Sequence, residues 1–376
     1  MKILIVGGGP AGGYLGQLLQ KYGYSPLILE EHSEVGEPVQ CAGLVGKDVF
    51  KKSILPLPSS SIKNVINGAI FHCGEISFPL YRPEVAYVID RAVFDREISR
   101  GLELRLSTRF LGLEKDGNSC AYRAVTNKGI FPADLIIGAD GPRSRVRKVM
   151  GLKEKIRYYR GFQLRLQTSW EPTDMVEVYV HRPFFFWIIP EGNKIIRVGV
   201  VSFNPYRDLQ AFLRERNIQG EILEKNNGIL PVGTCQLVGD RIAIVGDAAG
   251  QVKPLTGGGI YYGLKAAEIL ADCIHQDRLG DYAAKWQKHF GKEISFALRL
   301  RKIYETLSDD DLVKIFLYFQ ENALQIEKAA NFEIHSSIIR ELIKNLKVTK
   351  IGFSALIGIL KTLIFPHGRH NEYPGG

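Results

Sequence analysis

Three separated apolar runs in this chain each end in glycines or in a glycine–aspartate pair. They occupy residues 3–12, 134–141 and 243–250. A buried parallel strand presents its carboxyl end to a ligand with this kind of sequence. Because the runs are far apart in the chain, the fold must bring their carboxyl ends together at one edge of a sheet. The pattern therefore predicts an α/β fold with a discontinuous nucleotide-binding domain.

The N-terminal run has a Gly-x-Gly-x-x-Gly spacing directly after a predicted strand and before a predicted helix over residues 14–22. Glycines at these positions permit a tight turn, close approach of a pyrophosphate, and close packing of the helix on the strand. A second predicted strand, residues 26–29, ends at Glu30, where a carboxylate would accept from ribose hydroxyls. The alternative is a glycine-rich turn that binds nothing. The contacts predicted for this motif are those of Gly7, Gly9, Pro10, Ala11 and Gly12.

The other two runs predict the remainder of the same site. Asp247 ends the predicted buried strand of the third run, where its carboxylate can hold the ribityl hydroxyls or the pyrophosphate side of FAD. The glycines at 257–259 let the backbone approach a flat ring, and a helix predicted over 260–275 directs its positive end towards that ring. We therefore predict bound FAD, with a plain hinge at 257–259 as the alternative. The residues assigned to this part of the site are Asp140, Gly141, Asp247, Gly257, Gly258, Gly259 and Ile260.

Composition argues against several other classes of protein. The five cysteines are scattered without a Cys-x-x-Cys pair, so neither a disulfide framework nor a metal site is predicted. No apolar run reaches the ~18 residues of a membrane span, and no signal peptide is expected before the first strand. The net charge is +9, with a basic cluster over residues 143–160 that fits an anionic lipid surface, an acidic electron donor or a solvated surface. Nothing resembles a nucleic-acid module. The scattered cysteines fit a reducing cytosol, so we expect a cytoplasmic protein, with peripheral contact at the inner face of the membrane as an option.

Strand patterns dominate residues 66–90 and 161–201, and helical patterns dominate from residue 259 onward. The fold class predicted is α/β, with a Rossmann-like FAD-binding domain, an inserted antiparallel β-sheet substrate domain and a C-terminal helical region. The FAD-binding segments are residues 1–55, 86–150 and 236–280, the substrate-domain segments are 56–85 and 151–235, and the helical region is 281–376.

Four segments resemble the geranylgeranyl reductases, within the flavoprotein group that includes p-hydroxybenzoate hydroxylase. Residues 38–43 are similar to the Pro-x-x-Cys-Ala-Gly segment near the flavin of these reductases, and residues 88–95 to their Arg-x-x-Phe-Asp helix start. Residues 246–260 resemble their flavin-ring segment. Residues 185–190 approximate their Tyr-x-Trp-x-Phe-Pro substrate motif. The resemblance implies that Cys41, Ala42 and Arg91 belong to the cofactor site.

The chain departs from that family in three places. Phe185 replaces the motif tyrosine and Ile189 the motif phenylalanine, and a downstream Gly-x-Gly appears as Gly-Val-Val at 199–201. The C-terminal region is also short for the family. The first two departures affect the identity of the lipid, and none of the three changes the FAD assignment.

Two groups of residues have a functional and a structural interpretation. Cys41 is either a catalytic thiol that orients or protonates the substrate, or a small packed side chain. Phe185 and Trp187 share one face of a strand, where they either line an apolar tunnel or fill a core. Pro190 would end that strand at the cavity rim, so these three residues are the predicted substrate contacts.

The resemblance implies an FAD-dependent reductase that saturates an isoprenoid chain on a lipid or phospholipid. The alternatives are a flavin monooxygenase or halogenase acting on a small aromatic, and a flavin electron carrier to membrane quinone. The partners expected are a prenyl lipid and an electron donor, either a ferredoxin-like protein or NAD(P)H. The apolar segment 353–365 is expected either to touch a membrane surface or to pack against the flavin domain.

Overall fold

The computed structural model describes residues 1–115 and 122–337. The strands within them are β1 (Ile3–Val6), β2 (Leu27–Leu29), β3 (Leu44–Gly46), β4 (Ile62–Cys73), β5 (Ile76–Ile89), β6 (Glu103–Arg105), β7 (Phe110–Lys115), β8 (Tyr122–Thr126), β9 (Gly129–Ala133), β10 (Leu135–Gly138), β11 (Glu154–Gln167), β12 (Met175–Val180), β13 (Phe185–Gly192), β14 (Ile195–Ser202), β15 (Glu221–Cys235), β16 (Val238–Gly239) and β17 (Ile242–Ile244). The helices are α1 (Pro10–Lys21), α2 (Lys47–Lys51), α3 (Arg91–Ile98), α4 (Arg145–Val149), α5 (Pro205–Glu215), α6 (Ile260–His275), α7 (Tyr282–Thr306), α8 (Asp309–Glu321) and α9 (Ala323–Ala329).

A six-stranded sheet carries the three predicted strand ends. Its order is β16-β17-β10-β1-β2-β6, and its pairs are parallel except for β16 with β17. Val6 of β1 lies opposite Gly138 of β10, which lies opposite Ile244 of β17. Every residue of these three strands is buried, as expected for strands covered on both faces. The carboxyl ends of the three apolar runs therefore meet, as predicted.

Two helices begin at these strand ends. α1 begins at Pro10, four residues earlier than predicted, because the first turn of a helix tolerates a residue without an N–H. α6 spans Ile260–His275, as predicted. A Cβ placed on Gly12 would lie 2.0 Å from the carbonyl oxygen of Gly7, so this glycine allows α1 to fold back closely on β1.

An eight-stranded sheet is inserted between the nucleotide-binding segments, in the order β15-β11-β14-β13-β12-β4-β5-β3. Its pairs are antiparallel except for β4 with β12, where Gly68 lies opposite Met175. The sequence predicted an antiparallel sheet without this exception. β4 and β12 come from separate substrate-domain segments, and a long connection through the nucleotide-binding part permits parallel pairing. β5 continues to Ile89 in this sheet, past the predicted boundary between the substrate-domain segment 56–85 and the FAD-binding segment 86–150.

β13 continues through Pro190 to Gly192, whereas the sequence predicted that it would end at Pro190. Pro190 is paired with Ile196 of β14 on one side. On the other side, Ile188 is the last residue of β13 that pairs with β12. The missing N–H of Pro190 therefore leaves no ladder partner unsatisfied, and the strand can continue.

The described part of the predicted C-terminal helical region, up to residue 337, is mainly helical, as predicted. α8 begins with a capping box, in which Ser308 Oγ accepts from the backbone N–H of Asp311 at 3.1 Å. β7, β8 and β9 form a small third sheet. Among the described residues, no helix is long and apolar enough to cross a bilayer. The segment 353–365 lies outside the described residues.

Candidate functional site

One cavity of about 910 Å³ joins the carboxyl edge of the six-stranded sheet to a face of the inserted sheet. The strand-end loops supply one side of its lining, and side chains of the inserted sheet and α7–α8 supply the other. The predicted residues that line it are Gly9, Pro10, Ala11, Cys41, Ala42, Arg91, Gly141, Phe185, Trp187, Asp247, Gly257, Gly258, Gly259 and Ile260. The predicted residues outside its lining are Gly7, Gly12, Glu30, Asp140 and Pro190.

Glu30 organises the first glycine turn. Its Oε2 accepts from the backbone N–H of Gly8 at 2.7 Å, and its Oε1 lies 2.7 Å from Nδ1 of His32. Gly7 has φ +103°, and a Cβ there would lie 2.3 Å from the carbonyl oxygen of Ala139. These residues shape the turn from behind the cavity wall. A ribose contact by Glu30 stays a prediction.

Asp140 caps a helix in this structure. Its carboxylate accepts from Ser144 Oγ at 2.6 Å and from the backbone N–H groups of Arg145 and Val146 at 2.6 and 3.0 Å. Burial raises the pKa of Asp140, and these hydrogen bonds oppose that shift. The carboxylate therefore fixes the start of α4, while the next residue, Gly141, reaches the cavity.

The N-terminus of α1 leaves room for a ligand. Gly9 has φ −67°, an ordinary value for any residue, and a Cβ placed on it would meet no atom within 4 Å. Neither backbone strain nor protein packing therefore requires glycine here. The open approach to a helix N-terminus fits a pyrophosphate. With the glycines at 257–259 and the start of α6 on the same cavity, the residues present fit FAD.

Asp247 and Arg91 are two charged groups on this apolar cavity. Burial raises the pKa of Asp247 to about 6, and Arg91 opposes the shift. Arg91 is itself partly buried, which opposes its charge, yet Asp95 and Cys41 raise its pKa. The Arg91 guanidinium binds Asp95 through Nε–Oδ1 and Nη2–Oδ2 contacts of 3.3 and 2.9 Å. Arg91 is thus a fixed cation beside both Asp247 and the Cys41 thiol.

The loop at residues 38–43 is clamped by side chains of the inserted sheet. Arg197 Nη1 donates to the carbonyl oxygen of Ala42 at 2.8 Å and to that of Ile89 at 3.1 Å. Its Nε donates to Glu191 at 2.8 Å, and both residues are buried. Asn226 Nδ2 donates to the carbonyl oxygen of Val39 at 2.9 Å. The loop that carries Cys41 is therefore held at both ends.

Phe185 and Trp187 share the cavity-facing side of β13, with ring centroids 6.2 Å apart. Trp187 Nε1 donates to Gln163 Oε1 at 2.9 Å. A Cβ on Gly199 of β14 would lie 2.3 Å from the indole ring, so this glycine makes room for the tryptophan. Pro190 pairs with β14 and lies outside the cavity lining. It is therefore not among the residues that a substrate in this cavity would contact, contrary to the prediction.

Arg301 of α7 joins the two sides of the cavity. Its guanidinium donates to the carbonyl oxygens of Pro254 at 2.9 Å and Leu255 at 2.6 Å, and also to that of Pro183. Its Cζ lies 3.5 Å from the centroid of the Phe184 ring. Burial lowers the pKa of Arg301 to about 10, so it stays charged at neutral pH. Sequence reasoning missed this residue, as well as Arg197 and Asn226, because no local motif surrounds them.

A family model described as FAD binding domain matches residues 1–44 and 87–224. Digeranylgeranylglycerophospholipid reductase 1 of Methanothermobacter thermautotrophicus is 30% identical over 384 residues, which cover 90% of this chain and 95% of the relative. Digeranylgeranylglycerophospholipid reductase 1 of Methanococcoides burtonii is 29% identical over 359 residues, which cover 85% of this chain and 87% of the relative.

A solved structure shows the same fold. It is that of a geranylgeranyl bacteriochlorophyll reductase-like protein from Thermoplasma acidophilum, with a TM-score of 0.81 and 21% identity. The match covers 96% of this chain and 98% of that one. The predicted fold class and the FAD assignment are confirmed. The chain is an FAD-dependent oxidoreductase, and it belongs to the geranylgeranyl reductase family.

Proposed function

We propose that this enzyme saturates carbon–carbon double bonds of a geranylgeranyl chain carried by a lipid. The observation that supports the proposal is the lining of the cavity, whose apolar part is more extensive than a flat ring alone requires. Side chains of β4, β5, β12 and α8 extend the lining away from the cofactor loops. These residues are Phe71, Leu80, Val178, Leu312, Phe316 and Phe319. The names of the two relatives point to digeranylgeranylglycerophospholipid as the substrate to test first.

An isolated alkene is not polarised, so the protein must hold it in a dry and fixed position. FAD, when bound and reduced, supplies the hydride for such a saturation. We assign Cys41 to orient or protonate the alkene, because this residue lines the cavity and its loop is clamped by Arg197 and Asn226. Phe185 and Trp187 would exclude water along the chain.

The test is a single-turnover reaction under anaerobic conditions with chemically reduced enzyme. Digeranylgeranylglycerophospholipid should gain hydrogen pairs, read as mass increments by mass spectrometry. Cys41→Ser should keep FAD and slow or redirect the reduction. Cys235→Ser is the matched control, because Cys235 donates to the carbonyl oxygen of Ala249 and lies outside the cavity lining.

Either of two results would overturn the proposal and favour one of the alternatives. An unreduced prenyl chain, with an aromatic hydroxylated or halogenated once oxygen is admitted, would favour the monooxygenase or halogenase. Rapid quinone reduction without alkene saturation would favour the electron carrier. The electron donor, a ferredoxin-like protein or NAD(P)H, and peripheral contact with a membrane stay predictions.

A further inference from the structure

Two large aromatic rings beside the inserted sheet are exposed. Phe203 directly follows β14 and Tyr206 lies in the first turn of α5, and the two residues are 67% and 64% exposed. The Tyr206 ring lies 5.5 Å, between centroids, from the Phe162 ring of β11, and most of its surface stays accessible. A single exposed ring is ordinary in a folded protein, but neighbouring exposed rings are typical of a docking surface.

β11 continues this surface. Arg160 lies opposite Ser202 in the β11–β14 register, so it is next to Phe203. Tyr158 and Phe162 are two residues to either side of Arg160 and therefore share its face of the strand. Arg160 and Tyr158 are both exposed. The exposed residues of this surface form what we name the aromatic–basic patch: Tyr158, Arg160, Phe203, Tyr206 and Arg207.

The charge of the patch is positive. Neither Arg160 nor Arg207 forms an ion pair with a carboxylate among the described residues. The acids beside them are already paired. Asp208 lies 3.5 Å from the imidazole of His181, and Glu154 is bound to a buried arginine of α4. The two patch arginines are therefore available to a partner.

A larger basic surface adjoins the patch. Arg147 of α4 donates to Tyr158 Oη at 2.5 Å, so α4 lies directly beside β11 here. The exposed basic residues around α4 and the start of β11 have no carboxylate partner in the described part of the chain either. These residues are Arg143, Arg145, Lys148, Lys153 and Lys155. The patch and its surroundings are thus mainly positive, which attracts an anionic partner.

A second exposed apolar surface has the opposite charge. Leu317 of α8 and Leu324 of α9 are 43% and 74% exposed. The first turn of α8 is Asp309–Asp311, and its last residue is Glu321. These carboxylates would repel an anionic surface. Charge therefore favours the aromatic–basic patch as the site where such a surface binds.

The patch borders strands that form the cavity. Gly161 follows Arg160 in β11, and Ile229 of β15 lies opposite Arg160 in the β11–β15 register. Gly161 and Ile229 both line the cavity. A partner bound to the patch would therefore lie close to the cavity in which the lipid substrate is proposed to react.

We propose that the aromatic–basic patch docks this enzyme on the anionic surface of a lipid bilayer. Tyrosine and phenylalanine rings are favourable at the level of the lipid headgroups, and arginines bind phosphate oxygens with paired N–H groups. Peripheral contact of this kind requires no membrane-spanning helix. The proposal rests on the proposed function in one respect, because a prenyl phospholipid substrate would reside in that bilayer.

Co-sedimentation of the full-length, FAD-bound protein with vesicles tests the proposal. The probes are vesicles of phosphatidylcholine alone and vesicles with equal parts of phosphatidylcholine and phosphatidylglycerol. The wild type should bind the anionic vesicles, and binding should weaken as salt rises, because salt screens the contact. Arg160→Gln with Arg207→Gln, and Phe203→Ser with Tyr206→Ser, should each lower the partition coefficient by about tenfold or more.

Two matched double variants control for charge and for apolar surface. Lys288→Gln with Lys292→Gln removes two exposed charges of α7, and Leu317→Ser with Leu324→Ser removes the second apolar surface. Neither control should change vesicle binding. Because every substituted side chain is exposed, FAD content and the thermal unfolding midpoint should stay close to those of the wild type.

Failure of the wild type to bind anionic vesicles, retained binding in the patch variants, or equal losses in the controls would overturn the proposal. A purified acidic ferredoxin is the probe for a protein partner. Ferredoxin binding that the arginine variant loses, with no vesicle binding by the wild type, would assign the patch to an acidic protein instead. Vesicle binding through the patch without reduction of a prenyl lipid would overturn only the proposed function.

Discussion

The two walls of the cavity are built by different means. The cofactor wall consists of loop backbone at the ends of β1, β10 and β17 and at the start of α6. The substrate wall consists of side chains from β4, β5, β12, β13 and α8. Backbone in a tight turn tolerates few residue types, whereas an apolar side chain can be exchanged for another of similar volume. Single substitutions in the cofactor wall should therefore weaken FAD binding strongly, whereas substitutions in the substrate wall should change substrate preference gradually.

Arg301 is the residue whose loss should affect both walls, and the largest effect is expected here. Arg301→Met leaves three backbone carbonyl oxygens without donors, at about 1 kcal/mol or more each, so unfolding free energy should fall by roughly 3 kcal/mol. Denaturant unfolding with bound FAD measures it. Lys302→Met on the exposed side of the same helix is the control. A loss below about 1 kcal/mol would mean that the two walls are held together by other contacts.

Gly9→Val tests the cofactor wall alone. No protein atom lies within 4 Å of the added Cβ, so the apo protein should keep its stability to within about 1 kcal/mol. The branched side chain would occupy the space assigned to the pyrophosphate, and FAD affinity should fall by at least about 100-fold, or ~2.7 kcal/mol. Fluorescence titration of apo protein measures the affinity. Retention of FAD by this variant would contradict the assignment of the α1 N-terminus.

Asp247→Asn should separate stability from cofactor binding. Because burial raises the folded-state pKa of Asp247 from 3.8 to about 6, its contribution to stability is present below pH 3.8 and is lost as pH rises through 6. Removing the ionisable group should stabilise the apo protein at pH 7 by about 1–3 kcal/mol and flatten its pH dependence between these values. FAD binding should weaken. Urea unfolding of both apo proteins at pH 4 and pH 7 checks the sign.

Phe316→Ala should have the smallest effect, because it enlarges the substrate wall without touching the cofactor loops. Phe316 is partly buried, and its ring lies 5.9 Å from that of Phe78. We expect a stability loss of about 1–2 kcal/mol and an unchanged FAD affinity. The preferred prenyl chain length should shift, as measured by competition between chains in one reaction. Val313→Ala on the exposed side of α8 is the control, and a fall in FAD affinity for Phe316→Ala would contradict the division into two walls.

Local patterns predicted whole elements but missed some of their limits. The range of α6 agreed with its apolar periodicity and preceding glycines, because both signals are local. α1 began at Pro10, and β13 continued through Pro190, because the cost of a proline depends on whether its N–H has a partner in the fold. The parallel pairing of β4 with β12 joins two distant segments and leaves no local signal.

By itself, the sequence determined the nucleotide-binding turns, the parallel sheet and the FAD assignment. Glycine is required at Gly12 by the carbonyl oxygen of Gly7 and at Gly7 by a φ of +103°, so both constraints belong to the local turn. Only the tertiary structure decided which side chains brace the site. Arg197 reaches Ala42 across 155 residues of chain, and Lys253 reaches Glu333 across 80. Such contacts depend on how whole sheets and helices pack, and no spacing along the chain records them.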